Sequence, residues 1–378
     1  MKSMVVRVTA AGEDTWQDRV AAVAERSPDA VLAFLPGDGR AQRILRELAS
    51  TWPDAIRFGC ESVTQFADAT LASDGSLQLF WFERPEHRVE VDVIEATPDG
   101  ALRADEIDHL AATIRGADAV LLTVDGLHFP AQELLAELRS RGAAAGVAVA
   151  GGLASMASPG AEASGARVFV DRQLYGAGCA VAHWHGVRAD IEIVRGWSPA
   201  SPSYTVTRAE GNVVYEIDGE PATDWYRRFF TVGGQLAPLP DAAHQFPLIL
   251  EGPGPLREGL YRSMRHFDQP EGAVTFWGDL EVGDEIRLGM GNDVSLVETA
   301  RELAADRAAE AAVLYSCVGR ELVLGERAEA EVQAIHEALR GVPLAGFFTF
   351  GEIGPAVRGP VAFYNHTAVL VLLSEAAA

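Results

Sequence analysis

The strongest constraint on the fold is a threefold recurrence within the chain. Three segments share one order: an apolar strand, a glycine-bearing loop, an amphipathic helix, a second strand running into glycine, and a third strand. Repeats of this kind are read before anything else, because they set the architecture. The first copy begins with VLAFL at 31–35, turns through Gly37 and Gly39, and continues into a helix with Ile44, Leu45 and Leu48 on one face. Its second strand covers 55–60 and its third 76–83. The second copy has strands at 120–124, 146–150 and 178–184, with Leu134, Leu135 and Leu138 on its helix. The third has strands at 312–316, 344–350 and 368–373, with Val332, Ile335 and Leu339 on a helix over 326–339.

A strand–helix–strand order returns the chain by a right-handed crossover and yields a parallel pair. The strand cores are continuous Val, Leu, Phe and Ala runs, as expected of strands covered on both faces. The predicted class is therefore α/β in the mixed α+β sense: repeated strand–helix–strand units with parallel strand pairs. A β-rich insert is expected over 188–293, with short runs at 191–194, 204–208, 213–217, 246–250 and 274–277 and a helix at 224–230. A helix over 294–310 leads into the third copy, and the Gly- and Pro-bearing stretch 195–202 is the best linker.

Acidic residues number 54 against 31 basic ones, a net charge of −23. Such a surface repels phosphates and argues against nucleic acid or an anionic membrane as a general partner. The only lysine is Lys2, which removes lysine-based catalysis and the phosphate-loop lysine from consideration. Cys60, Cys179 and Cys317 are widely spaced and suggest neither a disulfide framework nor a zinc knuckle. Glu13 and Asp14 interrupt any apolar leader, and the longest small-apolar stretch, 142–157, is too weakly hydrophobic to span a bilayer. The expectation is a cytoplasmic protein without membrane insertion.

The segment Gly196-Trp197-Ser198-Pro199, then Val206-Thr207 and the run from Val214 to Gly219, resembles the start of the FIST C-terminal domain. Ser316 to Arg320, the run from Gly346 to Pro355 (Gly-Phe-Phe-Thr-Phe-Gly-Glu-Ile-Gly-Pro), and Asn365-His366-Thr367 resemble its end. The part from about 30 to 186 is similar to the FIST N-terminal domain. The resemblance implies domains at 1–195 and 196–378 and a sensory input module of signal transduction that binds small ligands, amino acids among them. It covers nearly the whole chain, so the output would be a separate signalling protein. One departure stands out: where the family's first half carries Gly-Glu after its Gly-Cys, this chain has Thr64-Gln65, whereas the third copy keeps Gly351-Glu352.

Ligands of open α/β sheets sit beyond the carboxyl ends of the strands. Asp38, Asp125, Cys317 and Arg320 fall there, the two aspartates equally readable as turn residues. The third copy supplies the fullest constellation. With adjacent strands, Arg320 and Glu352 would share one crevice, the guanidinium gripping a carboxylate and Glu352 an ammonium, which suits a small zwitterion. Thr349 and Asn365 would add neutral hydrogen bonds, and Gly319 and Gly351 a close backbone. The candidate ligand-binding set is thus Cys317, Gly319, Arg320, Thr349, Gly351, Glu352 and Asn365, with no catalytic residue, metal or cofactor. A plain Arg320–Glu352 salt bridge in a ligand-free scaffold is one alternative. The other is an enzyme, transferase or hydrolase, with a Cys317 nucleophile served by His366 or His336, against which stands an inert buried thiol.

His183 and His185 share a strand face but lack a third ligand at convincing spacing. The stretch 252–259 fails as a dinucleotide loop because of its prolines. Glu298, Glu302, Asp306 and Glu310 read as a solvated helix face, and 154–166 as a surface loop.

Overall fold

The computed structural model describes residues 1–8, 16–21, 26–155, 166–251, 257–305, 307–357 and 359–376. Its frame is three six-stranded sheets built to one plan. At the centre of each is the expected parallel pair: Ala30–Pro36 with Ile56–Ser62, Ala119–Val124 with Ala148–Leu153, and Ala311–Cys317 with Leu344–Thr349. The helices Ala41–Thr51, Ala131–Ser140 and Ala328–Ala338 make the crossovers. The third strands, Ser76–Trp81, Gly178–His185 and Ala368–Glu375, return antiparallel to the first. Outside each lies a further antiparallel strand that opens its unit: Lys2–Arg7, Arg88–Glu95 and Val187–Val194. The last of these corrects the sequence reading. Residues 191–194 belong to the third sheet and not to the insert, paired with Ala368–Glu375 across the 195/196 division.

The other edge of every sheet is closed by a hairpin from a different unit. After its second parallel strand each unit sends out a short hairpin. That of the first unit, Gln65–Ala67 with Thr70–Ala72, pairs with Leu344–Thr349 of the third. That of the second, Val168–Val170 with Gln173–Tyr175, pairs with Ile56–Ser62 of the first. That of the third, Glu352–Ala356 with Gly359–Tyr364, pairs with Ala148–Leu153 of the second. The exchange is cyclic, so no unit satisfies its own sheet edge, and an unpaired edge is a liability in water. It also joins the chain beyond the carboxyl ends of neighbouring pairs: the Phe348 amide donates to the Thr64 carbonyl at 3.1 Å and Ser155 to the Phe348 carbonyl at 2.5 Å.

The sheets enclose a common core. Phe34 meets Phe347 from another sheet with ring centroids 4.8 Å apart, and Phe80 meets Trp184 at 4.9 Å. The outer faces are covered by the helices, which explains why the central strands are apolar without alternation. Each unit needs glycine at one equivalent place. A Cβ on Gly59, Gly151 or Gly346 would lie 1.8, 2.2 or 1.9 Å from the carbonyl oxygen of its partner on the first strand, too close for any side chain.

The insert runs between Ser198–Pro199 and Glu285–Met290 as an antiparallel sheet in which Glu285–Met290 pairs with Ser198–Pro199, Tyr204–Glu210 and Leu248–Glu251. It packs its helix Ala222–Phe230 through Trp225, Tyr226 and Phe230 into a core shared with Ala362 and Tyr364 of the third unit's hairpin. The helix before the third copy covers Asp293–Ala304, shorter than expected, and the turn after Cys317 is itself helical over Val318–Leu324. The stretches 156–165 and 252–256, which hold most of the expected surface loop and part of the glycine–proline loop, and Asp306 lie outside the described residues. Among the described residues no helix is long and apolar enough to cross a membrane.

Candidate ligand-binding centre

Cys317 and Thr349 end the parallel strands of the third unit in direct register. Three residues beyond Thr349 the chain enters the exchanged hairpin at Glu352, whose register partner is Tyr364. The following turn, Asn365-His366-Thr367, folds back so that the Thr367 carbonyl accepts from the Cys317 amide at 2.9 Å. Glu352 is thereby enclosed completely. One carboxyl oxygen accepts from Thr349 Oγ1 at 2.5 Å; the other accepts from the Thr367 amide at 3.1 Å and hydroxyl at 2.8 Å. The Cys317 thiol lies beside this carboxyl group. Burial nevertheless dominates and pushes the Glu352 carboxyl up to about 8, so that it holds a proton at neutral pH. Burial and the neighbouring Glu352 likewise drive the Cys317 thiol well above its ordinary range.

Asn365 and His366 complete the centre. Both are fully buried, and neither amide atom of Asn365 and neither ring nitrogen of His366 has a hydrogen-bond partner among the described residues. Burial, with Arg320 and His244 nearby, lowers the His366 imidazole to about 3, so it is neutral. His366 has φ of 57° and stands edge-on to Trp197, whose indole N–H donates to the His366 carbonyl at 2.8 Å. Gly319 makes room for the ring: a Cβ there would lie 2.4 Å from His366 Cε1. Gly351 is required by a protein contact too, since its Cβ would meet the Phe363 ring at 2.3 Å.

Arg320 is the main correction to the expected constellation. It does not face Glu352. Its guanidinium is fully buried against Glu331 of helix Ala328–Ala338, with Nε 2.9 Å from Oε1 and Nη2 on the same oxygen. Its remaining donors reach the Arg195 carbonyl at 3.1 Å and the Leu296 carbonyl at 3.3 Å. Ser316 donates to the other Glu331 oxygen at 2.9 Å. The pair thus anchors strand, helix and the entry to the insert. Glu331 went unnoticed in the sequence. Its signal was a carboxylate one turn before Ile335 on the apolar helix face, where a charge demands a buried partner.

The other sequence candidates disperse. Asp125 is a turn residue: its buried carboxylate accepts from the amides of Leu127, His128 and Ala177 at 2.8, 3.1 and 2.7 Å. Asp38 is exposed and paired with Arg40. His183 and His185 lie against Asp92 and Glu90. Among the described residues no three metal-ligating side chains come together.

The Thr64-Gln65 departure has a structural counterpart. Gln65 opens the first unit's hairpin as Glu352 opens the third's. Gln65 Nε2 donates to the carbonyl and hydroxyl of Ser62, three residues back, at 2.6 and 3.0 Å. The Thr349–Glu352 contact has the same spacing. Two family models cover this architecture in succession: the FIST N domain matches residues 29–220 and the FIST C domain residues 222–355. The chain belongs to the FIST family. It is 28% identical over 277 residues to Uncharacterized protein Rv0628c of Mycobacterium tuberculosis, a match covering 68% of each chain. It is also 29% identical over 272 residues to Uncharacterized protein Mb0898c of Mycobacterium bovis, again covering 68% of each. FIST domains are associated with sensory signal transduction and not with catalysis. In this FIST chain the third unit keeps an ionisable carboxyl where the first has a permanently neutral amide.

Proposed function

We propose that the chain is a sensory protein that binds a small polar metabolite at the Glu352–Asn365–His366 centre and passes the signal to a separate output protein. The observation that carries this reading is the set of unpartnered amide and imidazole atoms, fully buried beside a protonated carboxyl. Buried polar groups without partners are costly, and a bound polar molecule offsets that cost. Amino acids and other small carboxylates are the first ligand class to test. An ammonium group beside Glu352 would favour its ionised form. A ligand carboxylate would have to be met by Asn365, His366 and backbone amides, because Arg320 is committed to Glu331. A ligand that binds two conformations unequally shifts their populations, which is all a sensor requires.

A Cys317-dependent enzyme is the weaker reading. The raised thiol is poorly nucleophilic, and its neighbour is the Glu352 carboxyl. The test is thermal unfolding of the purified protein against amino acids, small carboxylates and neutral polyols. A bound ligand at about 100 times its Kd stabilises by roughly 2.7 kcal/mol. A shift with one class, lost in Asn365→Ala while the fold persists, supports the reading. A shift retained in Asn365→Ala places the ligand elsewhere and overturns this assignment of the site.

A further inference from the structure

A second polar site lies on the far side of the third unit's hairpin. A cavity of about 120 Å³ opens between helix Ala131–Ser140, the hairpin strand Gly359–Tyr364 and the insert. Its walls carry Arg139, Arg257 and Arg262, a concentration of guanidinium groups in a chain of net charge −23. The three are not equally neutralised. Arg257 is held by Glu281 and by Asp284, the latter at 3.4 Å. Arg262 is fully buried and, among the described residues, donates only to carbonyls: Asp279 at 2.9 Å, Tyr261 at 2.9 Å and Phe363 at 3.3 Å. Arg139, half-buried, makes one hydrogen bond among the described residues, to the Val361 carbonyl at 3.3 Å. Asp279 is the remaining acid at the cavity, and its carboxylate accepts from Gln132 Nε2 at 3.1 Å. Asp279 thus acts on both Arg139 and Arg262, and Asp284, already held by Arg257, acts on Arg262 as well.

We propose that this cavity binds a small oxyanion, a carboxylate or an inorganic phosphate or sulfate, between Arg139 and Arg262. The chemistry fits: guanidinium forks recognise planar or tetrahedral oxyanions through paired charge-assisted hydrogen bonds. So does the size, since sites for larger ligands usually run to 300 Å³ or more. Gly278 leaves the room that the Arg262 guanidinium fills, since a Cβ there would lie 2.5 Å from Nε, and the three carbonyls fix the guanidinium in place beforehand. The site also bears on the hairpin that carries Glu352, because both arginines hold carbonyls of its outer strand. It stands independently of the centre around Glu352.

The experiment is isothermal titration of the full chain with sodium acetate, phosphate and sulfate at constant ionic strength, with chloride as the control anion. Saturable binding of at least one oxyanion, weakened tenfold or more in Arg139→Gln, is the expected result. Which of the three salts binds separates a carboxylate ligand from a phosphate-type one. Arg139 is half-exposed and its replacement leaves the fold intact, which the unfolding midpoint of the variant verifies. Absence of saturable binding by all three salts, or binding unaffected by Arg139→Gln, overturns the proposal.

Discussion

The first and third units place the same architecture around different chemistry. In the first, Gln65 is fixed by Ser62 and is neutral at every pH. In the third, Glu352 is fixed by Thr349 and Thr367 and titrates near neutrality. The arginines that follow the first strands diverge as well. Arg40 is one-third exposed, paired with Asp38 and Asp74; Arg320 is fully buried against Glu331. The difference shows how a repeat divides labour: one copy can hold the shape while another carries groups that are costly to bury.

The largest expected effect breaks this contrast at the arginines. Arg320→Ala leaves Glu331 buried and unpaired, which costs about 3–5 kcal/mol. Arg40→Ala, in a solvent-screened pair, costs at most about 1 kcal/mol. Urea unfolding of both variants measures the gap, and equal losses would show that the two positions are not different in kind.

Exchanging the side chains at the hairpin entrances comes next. The folded Glu352 carboxyl lies at about 8 against an ordinary 4.5, so folding takes up a proton between those values and stability falls as pH rises through that window. Glu352→Gln gives the third unit the chemistry of the first, with Nε2 able to donate to Thr349 as Gln65 does to Ser62. It should remove that decline and be more stable than the parent above pH 8, by an amount on the order of a few kcal/mol. Gln65→Glu should introduce a matching decline in the first unit. His366 has the opposite slope. Its folded pKa of about 3 lies below the ordinary 6.5, so the unfolded chain binds the extra proton and stability rises with pH across that interval. Thermal unfolding from pH 3 to 9 resolves both slopes, and a flat profile at the alkaline end of the parent would refute the protonated Glu352.

Smaller effects sharpen the equivalence of the two entrances. Thr367→Val removes a buried donor to Glu352, and Ser62→Ala removes one partner of Gln65; each should cost about 1–2 kcal/mol. The smallest effect is kinetic. Cys317 and Cys60 are both buried with raised thiols, so a thiol reagent should modify neither in the native protein on the timescale of a free thiol. Rapid modification of Cys317 alone would revive the nucleophile reading.

Much of this fold was legible because its signals are local. Continuous apolar runs at 31–35, 120–124 and 312–316 announced strands buried on both faces, and the leucines of 134–138 announced a helix face. The opening strands were missed although Arg88–Glu95 alternates apolar and charged residues, as an edge strand with one buried face must. The run 191–194 reads as part of the insert because alternation specifies a strand but not its sheet. At the centre, Glu352, Thr349, Cys317 and Asn365 do converge, whereas Arg320 turns away to a helix residue eleven positions further on.

The sequence by itself determined the three units, the parallel pairs within them and the polar residues at their carboxyl ends, since periodicity and turn chemistry act over a few residues. Only the tertiary structure decided that hairpins with strands as short as Gln65–Ala67 leave their own unit, and that their exchange seals Glu352 from water. Three residues of strand carry no information about which open edge they will complete. That choice belongs to the hydrogen-bonding needs of all three sheets at once.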